Sequence, residues 1–179
     1  MRADAALNRQ RVLDAARAAF ADSGVATSMA EVVRRSGVGA ATLYRNFPSR
    51  EALLQALLLD EVDELCATAA TVQAGSPGER LADWLRRFFA YVTTKRPVVL
   101  DLLVLEGADP AGLKISTRRR LTSAVQPLLA AAQEAGEVRD DLDLDQVLDL
   151  IMAVAKINGT VEHRRPILGV VLAGLRPES

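Results

Sequence analysis

The sequence predicts an all-α chain with a helix-turn-helix at its N-terminal end. Ala, Leu and Arg are plentiful while aromatic residues make up only 4%, a composition that favours helix over sheet. Apolar residues recur at spacings of three and four rather than two, the period of a helix with one buried face. Between Ser28 and Arg50, the stretch SMAEVVRRSGVGAATLYRNFPSR reads as two short helices joined by a glycine turn, which is the layout of a helix-turn-helix. About nine helices are expected, in two domains: residues 1–48 and residues 49–179.

Residues 1–7 read as a short, poorly ordered arm. Asn8 suits an N-cap, and the first helix should run from there to Ser23-Gly24 with Val12, Ala16 and Phe20 as its core face. Ser28 and Glu31 have the S-x-x-E spacing of a capping box, in which each side chain bonds the other's backbone N–H. Met29, Val32 and Val33 give the second helix its apolar face. Gly37 ends that helix where the chain needs a positive φ. Val38 is the apolar residue of the turn, Gly39 caps a third helix over about Ala40–Phe47, and Pro48 stops it. A fourth helix, from Ser49 to about Thr71, carries a broad stripe of Leu53, Leu54, Leu57, Leu58, Val62 and Leu65.

Ala74-Gly75-Ser76-Pro77-Gly78 is the clearest loop, and Ser76 with Glu79 makes a second capping box behind Pro77. Leu81, Trp84, Leu85, Phe88, Phe89 and Val92 follow at helical spacing. Pro97 begins a shorter helix to about Glu106, and residues Gly107–Gly112 read as a loop. Leu121, Val125, Leu128, Leu129 and Ala132 mark the next helix, with a kink expected at Pro127 and an end at Gly136. Asp140, Asp141, Asp143 and Asp145 invite a calcium-loop reading. That reading fails, because the required glycine and closing glutamate positions hold Gln146 and Met152. Asp143 instead suits a helix cap with Gln146 reaching back. The helix it starts carries Val147, Leu148, Leu150, Ile151 and Val154. The last helix, about Pro166–Leu175, is apolar nearly all round, so a single buried face cannot account for it.

The net charge of −1 hides an asymmetry. Residues 1–50 hold eight arginines against four acids, a net of +4, whereas the remainder holds 14 basic and 19 acidic residues, a net of −5. A basic end on an acidic body fits one end facing phosphate. The single cysteine, Cys66, excludes an internal disulfide. Met1–Gln10 is polar, so no signal peptide is expected, and no apolar run approaches the length of a membrane span. The lone His163 and Cys66 offer no metal set and no nucleophile–base pair, so no cofactor, metal or catalytic residue is assigned. Arg118-Arg119-Arg120 reads as a solvated helix face, with an acidic-ligand site as the other reading.

The run ATSMAEVVRRSGVGAATLYRNFPSREALL, preceded by RVLDAARAAFADSG, resembles the DNA-binding signature of the tetracycline-repressor (TetR) family over roughly residues 8–58. The T-L-Y-x-x-F core stands at the right distance from the S-G-V turn before it and the S-R-E-A-L-L after it. The chain departs from the family's usual residues at Val33, Gly39, Asn46 and Arg50. The body, through ADWLRRFFAYVTTKR, PLLAAAQEAGEVRDD and a closing LAGLR, is similar to one regulatory-domain subgroup of that family.

The resemblance implies a cytoplasmic, nucleoid-associated regulator, expected to be a repressor, that binds an inverted-repeat operator as a homodimer and is released by a small-molecule effector. It implies DNA contacts from Ser28, Gly39, Ala40, Ala41, Thr42, Tyr44, Arg45, Asn46 and Arg50. Tyr44 would face mainly phosphate, Arg45 phosphate or guanine, and Ala40 and Ala41 the groove floor, while Val38, Leu43 and Phe47 pack against the first helix. Trp84, Phe88, Tyr91 and Met152 are candidates to line an effector cavity. Val147, Ile151, Val154, Leu168, Val171, Leu172 and Leu175 are candidates for a four-helix dimer interface. The alternative is a small-molecule-binding helical protein whose head no longer binds DNA. An enzyme is disfavoured, since no nucleophile constellation, phosphate loop or metal spacing is present.

Overall fold

The computed structural model describes residues 2–72, 75–95 and 110–177. Among them are eight α-helices and no strand: α1 (Arg2–Ser23), α2 (Met29–Ser36), α3 (Ala40–Asn46), α4 (Arg50–Thr71), α5 (Pro77–Ala90), α6 (Pro110–Glu134), α7 (Leu144–Ala155) and α8 (Val161–Gly174). A single 3₁₀ turn at Gly24–Ala26 follows α1, and a π-helical turn, Tyr91–Lys95, continues α5. The helix expected over Pro97–Glu106 lies outside the described residues. Three boundaries differ from those read in the sequence. Helix α1 begins at Arg2, not at Asn8, because nothing before Asn8 breaks a helix and Ala5, Ala6 and Leu7 favour one. Helix α6 begins at Pro110, so Pro110-Ala111-Gly112 is helical and not loop; proline is tolerated in a first turn whose N–H groups have no intrahelical partner. Helix α8 begins at Val161, where the Thr160 hydroxyl accepts the His163 N–H at 3.3 Å. Pro166 therefore sits inside that helix and does not start it.

The chain divides into two compact units, with a boundary inside α4 between Glu61 and Val62. In the first unit, α1 packs on α2 and α3. Its core is made by Val12, Leu13, Ala16, Ala19 and Phe20 from α1, Val32 from α2, Val38 from the turn, Leu43 and Phe47 from α3, and Leu53, Leu54 and Leu57 from α4. Apart from Val38 in the turn and Phe47 just past the end of α3, these fall on the helical period that buries one face. Arg17 of α1 reaches Asp60 of α4 at 2.7 Å and Asp14 at 3.0 Å, and Gln10 also donates to Asp60 at 3.4 Å.

In the second unit, Trp84, Leu85 and Leu81 of α5 are buried with Val147, Leu148 and Ile151 of α7, two helices that pack on each other. Trp84 stacks on Phe88, with ring centroids 5.5 Å apart and planes 9° apart. Its indole N–H donates to the Leu65 carbonyl of α4 at 3.1 Å. The start of α5 has a cap that the sequence spacing does not reveal. Ser76 and Glu79 form their capping box, but Glu137, some sixty residues along, also accepts from the Ser76 hydroxyl and from the Gly78 N–H, the latter at 2.9 Å. These bonds hold the Glu137 carboxyl below its usual range. A Cβ on Gly78 would lie 2.8 Å from that carboxylate, so the approach depends on glycine. Asp143 and Gln146 cap α7 reciprocally. Two other aspartates of that stretch are held by cations, Asp141 by Arg139 and Asp145 by Arg118.

The arginine triple is shared between neighbours. Arg118 bonds Asp145 at 2.7 Å and Asp149 at 2.8 Å on α7, Arg120 bonds Asp63 of α4 at 2.6 Å, and Arg119 is exposed. Arg164 of α8 donates to the Ala155 and Gly159 carbonyls at 2.7 and 2.6 Å, which puts a cation at the C-terminal end of α7.

Candidate DNA interface

The reading head is built from short-range signals. Ser28 caps α2, its hydroxyl accepting the Glu31 N–H at 3.2 Å. The reciprocal half of the expected box is missing. Glu31 turns instead to Arg34, with bonds of 2.6 and 2.9 Å, and to Arg35 at 2.6 Å, because charge-assisted bonds to a guanidinium outweigh one to a backbone amide. Arg35 also bonds Asp22 of α1 at 2.6 Å. Part of the head's excess of arginine is therefore neutralised internally. The Arg34 hydrogen bond, then that of Arg35, lowers the Glu31 carboxyl to about 2 from an ordinary 4.5. A carboxylate depressed in the folded state contributes its full stability above its unfolded pKa and loses it as pH falls through the folded value. Glu31→Gln is thus expected to flatten the acid-unfolding curve between about pH 4.5 and pH 2, followed by far-UV circular dichroism. An unchanged curve would mean that the triad is energetically idle.

Gly37 ends α2 at φ 65°, ψ 11°, the left-handed region that a β-carbon disfavours. Val38 is then 6% exposed and anchors the turn. Two further ties were not visible in the sequence pattern. Thr27 is buried, and its hydroxyl donates to the Ala19 carbonyl at 2.8 Å, fixing the entry to α2 against α1. The Arg9 guanidinium lies 5.2 Å above the Phe47 ring, covering the C-terminal end of α3. Both join residues far enough apart that only packing brings them together.

Helix α3 has one buried and one outward side. Leu43 and Phe47 are 0% and 2% exposed. Ala40, Ala41, Tyr44 and Arg45 face solvent, with Tyr44 at 48% exposure. These outward positions, at i, i+1, i+4 and i+5, form one continuous helical surface. Gly39, Ser28 and Asn46 are also exposed, and Thr42 is half-buried. Asn46 is occupied: its amide donates to the Thr42 carbonyl at 2.8 Å. Arg50 is half-buried, with its guanidinium 5.3 Å above the Phe20 ring. The structure thus brings Ala40, Ala41, Tyr44 and Arg45 onto one surface and turns the Arg50 head group toward α1, where the aromatic face attracts it.

The expected dimer residues are mostly spoken for within the protomer. Val147, Ile151, Val154, Leu168 and Leu175 are all 5% exposed or less. Within the protomer, α7 and α8 pack on each other and α7 on α5. Val171 and Leu172 keep partial exposure, and the large apolar side chains of α7 and α8 that point outward are Val170 at 73% and Leu150 at 39%. Trp84, Phe88 and Tyr91 are likewise core residues, each under 7% exposed, and Met152 is half-buried. None of the four lines the open groove between α5 and α8, whose walls include Phe89, Arg86, Arg165 and Leu172. Among the described residues, no cluster of acids, histidine and cysteine could hold a metal, and no helix is long and apolar enough to cross a membrane.

A three-helix head presenting a short, outward-facing second helix, joined to an all-helical body, is the build of a helix-turn-helix DNA-binding protein. The chain belongs to the tetR family of bacterial regulatory proteins. Residues 12–57 match the family described as "Bacterial regulatory proteins, tetR family", and residues 76–177 match "Transcriptional regulator SbtR-like, C-terminal domain". A TetR transcription regulatory protein from Mycobacterium vanbaalenii is 35% identical, with a TM-score of 0.78 over 98% of this chain and 99% of that one. A TetR regulator from Streptomyces coelicolor is 34% identical, with a TM-score of 0.75 over 96% and 99%. The HTH-type transcriptional regulator UidR of Escherichia coli is 24% identical over 85% of this chain and 80% of its own. The protein is a DNA-binding transcriptional regulator.

Proposed function

We propose that this chain is a repressor that binds an inverted-repeat operator as a homodimer and leaves it when a small-molecule effector binds the body. The observation that carries this reading is the α3 surface, where Ala40, Ala41, Tyr44 and Arg45 stand outward on an anchor of buried Leu43 and Phe47. A rigid short helix with small residues at its leading end can approach the floor of a major groove. Residues 1–48 form the reading head and residues 49–179 the regulatory body. Helix α4 starts directly behind the head and runs without a break across the Glu61–Val62 boundary of the two compact units, so it is the element through which a change in the body reaches the head. The effector acts by favouring a state in which the two heads no longer match the half-site spacing. It is an apolar or amphipathic compound, and because Trp84, Phe88 and Tyr91 are closed in the core and Met152 is half-buried, it reaches them in a state of the body that opens that core.

The test is a gel shift with DNA flanking the protein's own gene, at two salt concentrations. Binding should weaken steeply as salt rises, since phosphate contacts release counterions. No binding at either salt would favour a helical small-molecule receptor with a silent head. Tyr44→Ala should weaken binding to all sequences alike, roughly tenfold for one lost phosphate hydrogen bond per head. Unchanged affinity would take Tyr44 off the contact surface.

A further inference from the structure

The outward surface of α3 carries few groups able to tell one base from another. Ala40, Ala41 and Gly39 bring no polar side-chain atom. The Asn46 amide is folded back on the Thr42 carbonyl at 2.8 Å, and an asparagine reads adenine by presenting both amide atoms together. Thr42 is half-buried. Tyr44 offers one hydroxyl, which bonds a phosphate oxygen and a base acceptor equally well. Arg45 differs from all of these. It is exposed, makes no hydrogen bond or ion pair with any described residue, and lies one turn beyond Ala41 on the same stripe. By contrast Arg34 and Arg35 are tied to Glu31, and Arg9 and Arg50 lie over aromatic rings.

We propose that Arg45 is the specificity-determining residue of the head, and that its fork reads the O6 and N7 of one guanine in each half-site. The guanidinium matches those two acceptors in geometry. The alanines beside it let the helix come close, and they select for thymine methyls and groove shape without adding a second hydrogen-bonded base. With two symmetric heads the operator carries a guanine on one strand of one half-site and its symmetry mate on the opposite strand of the other. This inference rests on the operator-binding reading above.

The experiment is selection from a random DNA pool with the full-length protein, Arg45→Ala and Arg45→Lys, followed by affinity measurements on the selected site. Wild type should enrich one symmetric guanine. Arg45→Ala should lose that preference by about 5- to 150-fold while keeping its preferences elsewhere, and Arg45→Lys, whose ammonium can still donate to O6 and N7, should keep part of it. Replacing that guanine with 7-deazaguanine should weaken wild type and leave Arg45→Ala unaffected. Arg45→Lys, which keeps the charge, should retain the wild-type salt dependence. Guanine enrichment that persists in Arg45→Ala would overturn the proposal. So would a uniform loss on all sequences with a salt slope reduced by about 1 per head, since that is the signature of a phosphate contact. If wild type selects a guanine-free operator, the operator-binding reading stands and this inference falls; if wild type binds no DNA, both fall.

Discussion

Val170→Glu is expected to convert the protein to monomers and to lower operator affinity by about 10²- to 10⁴-fold, the loss that follows when a second binding event is no longer intramolecular. Val170 projects from α8 with 73% of its surface exposed, and it contributes little to the protomer's own core. Neighbouring Gly169 and Ala173 on the same helix are exposed too. An apolar strip of this kind is covered when two copies bring the same face together. A glutamate at its centre would place two like charges in a desolvated contact. Leu172 is the less informative target, because it is already half-buried within the protomer and a charge there would disturb folding as well. Light scattering and the thermal midpoint together decide the matter. Monomers with an unaltered fold are expected, and a persistent dimer would place the interface on another face.

Trp84→Ala is expected to destabilise the second unit by about 3–5 kcal/mol, the usual loss when a large buried aromatic is removed. Trp84 is fully buried, stacks on Phe88 and bonds the Leu65 carbonyl, so it joins α5 to α4 through both packing and a hydrogen bond. Trp84→Phe keeps most of the ring contact and loses only the indole N–H, so about 1 kcal/mol is expected for the bond itself, plus the smaller ring volume. Urea unfolding followed by circular dichroism measures both, since Trp84 is the sole tryptophan. A small loss for Trp84→Ala would mean that the aromatic pair is loosely packed.

Much of the head was legible in the sequence because its determinants are local. Ser28 lies three residues from the N–H it accepts, Gly37 sets its own backbone angles, and Leu43 and Phe47 repeat at one helical turn. Periodicity also marked the core of α5, and the Asp143–Gln146 cap marked the start of α7. The same signals set which side of α3 faces outward, since burying Leu43 and Phe47 leaves Ala40, Ala41, Tyr44 and Arg45 on the other side. Helix extents were less legible at α1 and α8. Weak signals such as Asn8 and Pro166 are overridden when the neighbouring residues tolerate helix.

What the sequence by itself determined is an all-helical chain with a capped, glycine-turned reading head, because those features depend on residues within about one turn of each other. Only the tertiary structure decided which partners the longer side chains take. Glu31 leaves its capping box for Arg34 and Arg35, Glu137 crosses to the start of α5, and Arg118 and Arg120 divide between α7 and α4. It also decided that Leu168 and Leu175 belong to the protomer's core while Val170 is left outside. On a helix that is apolar nearly all round, hydrophobicity cannot say which side is covered; only the packing of α7 and α8 does.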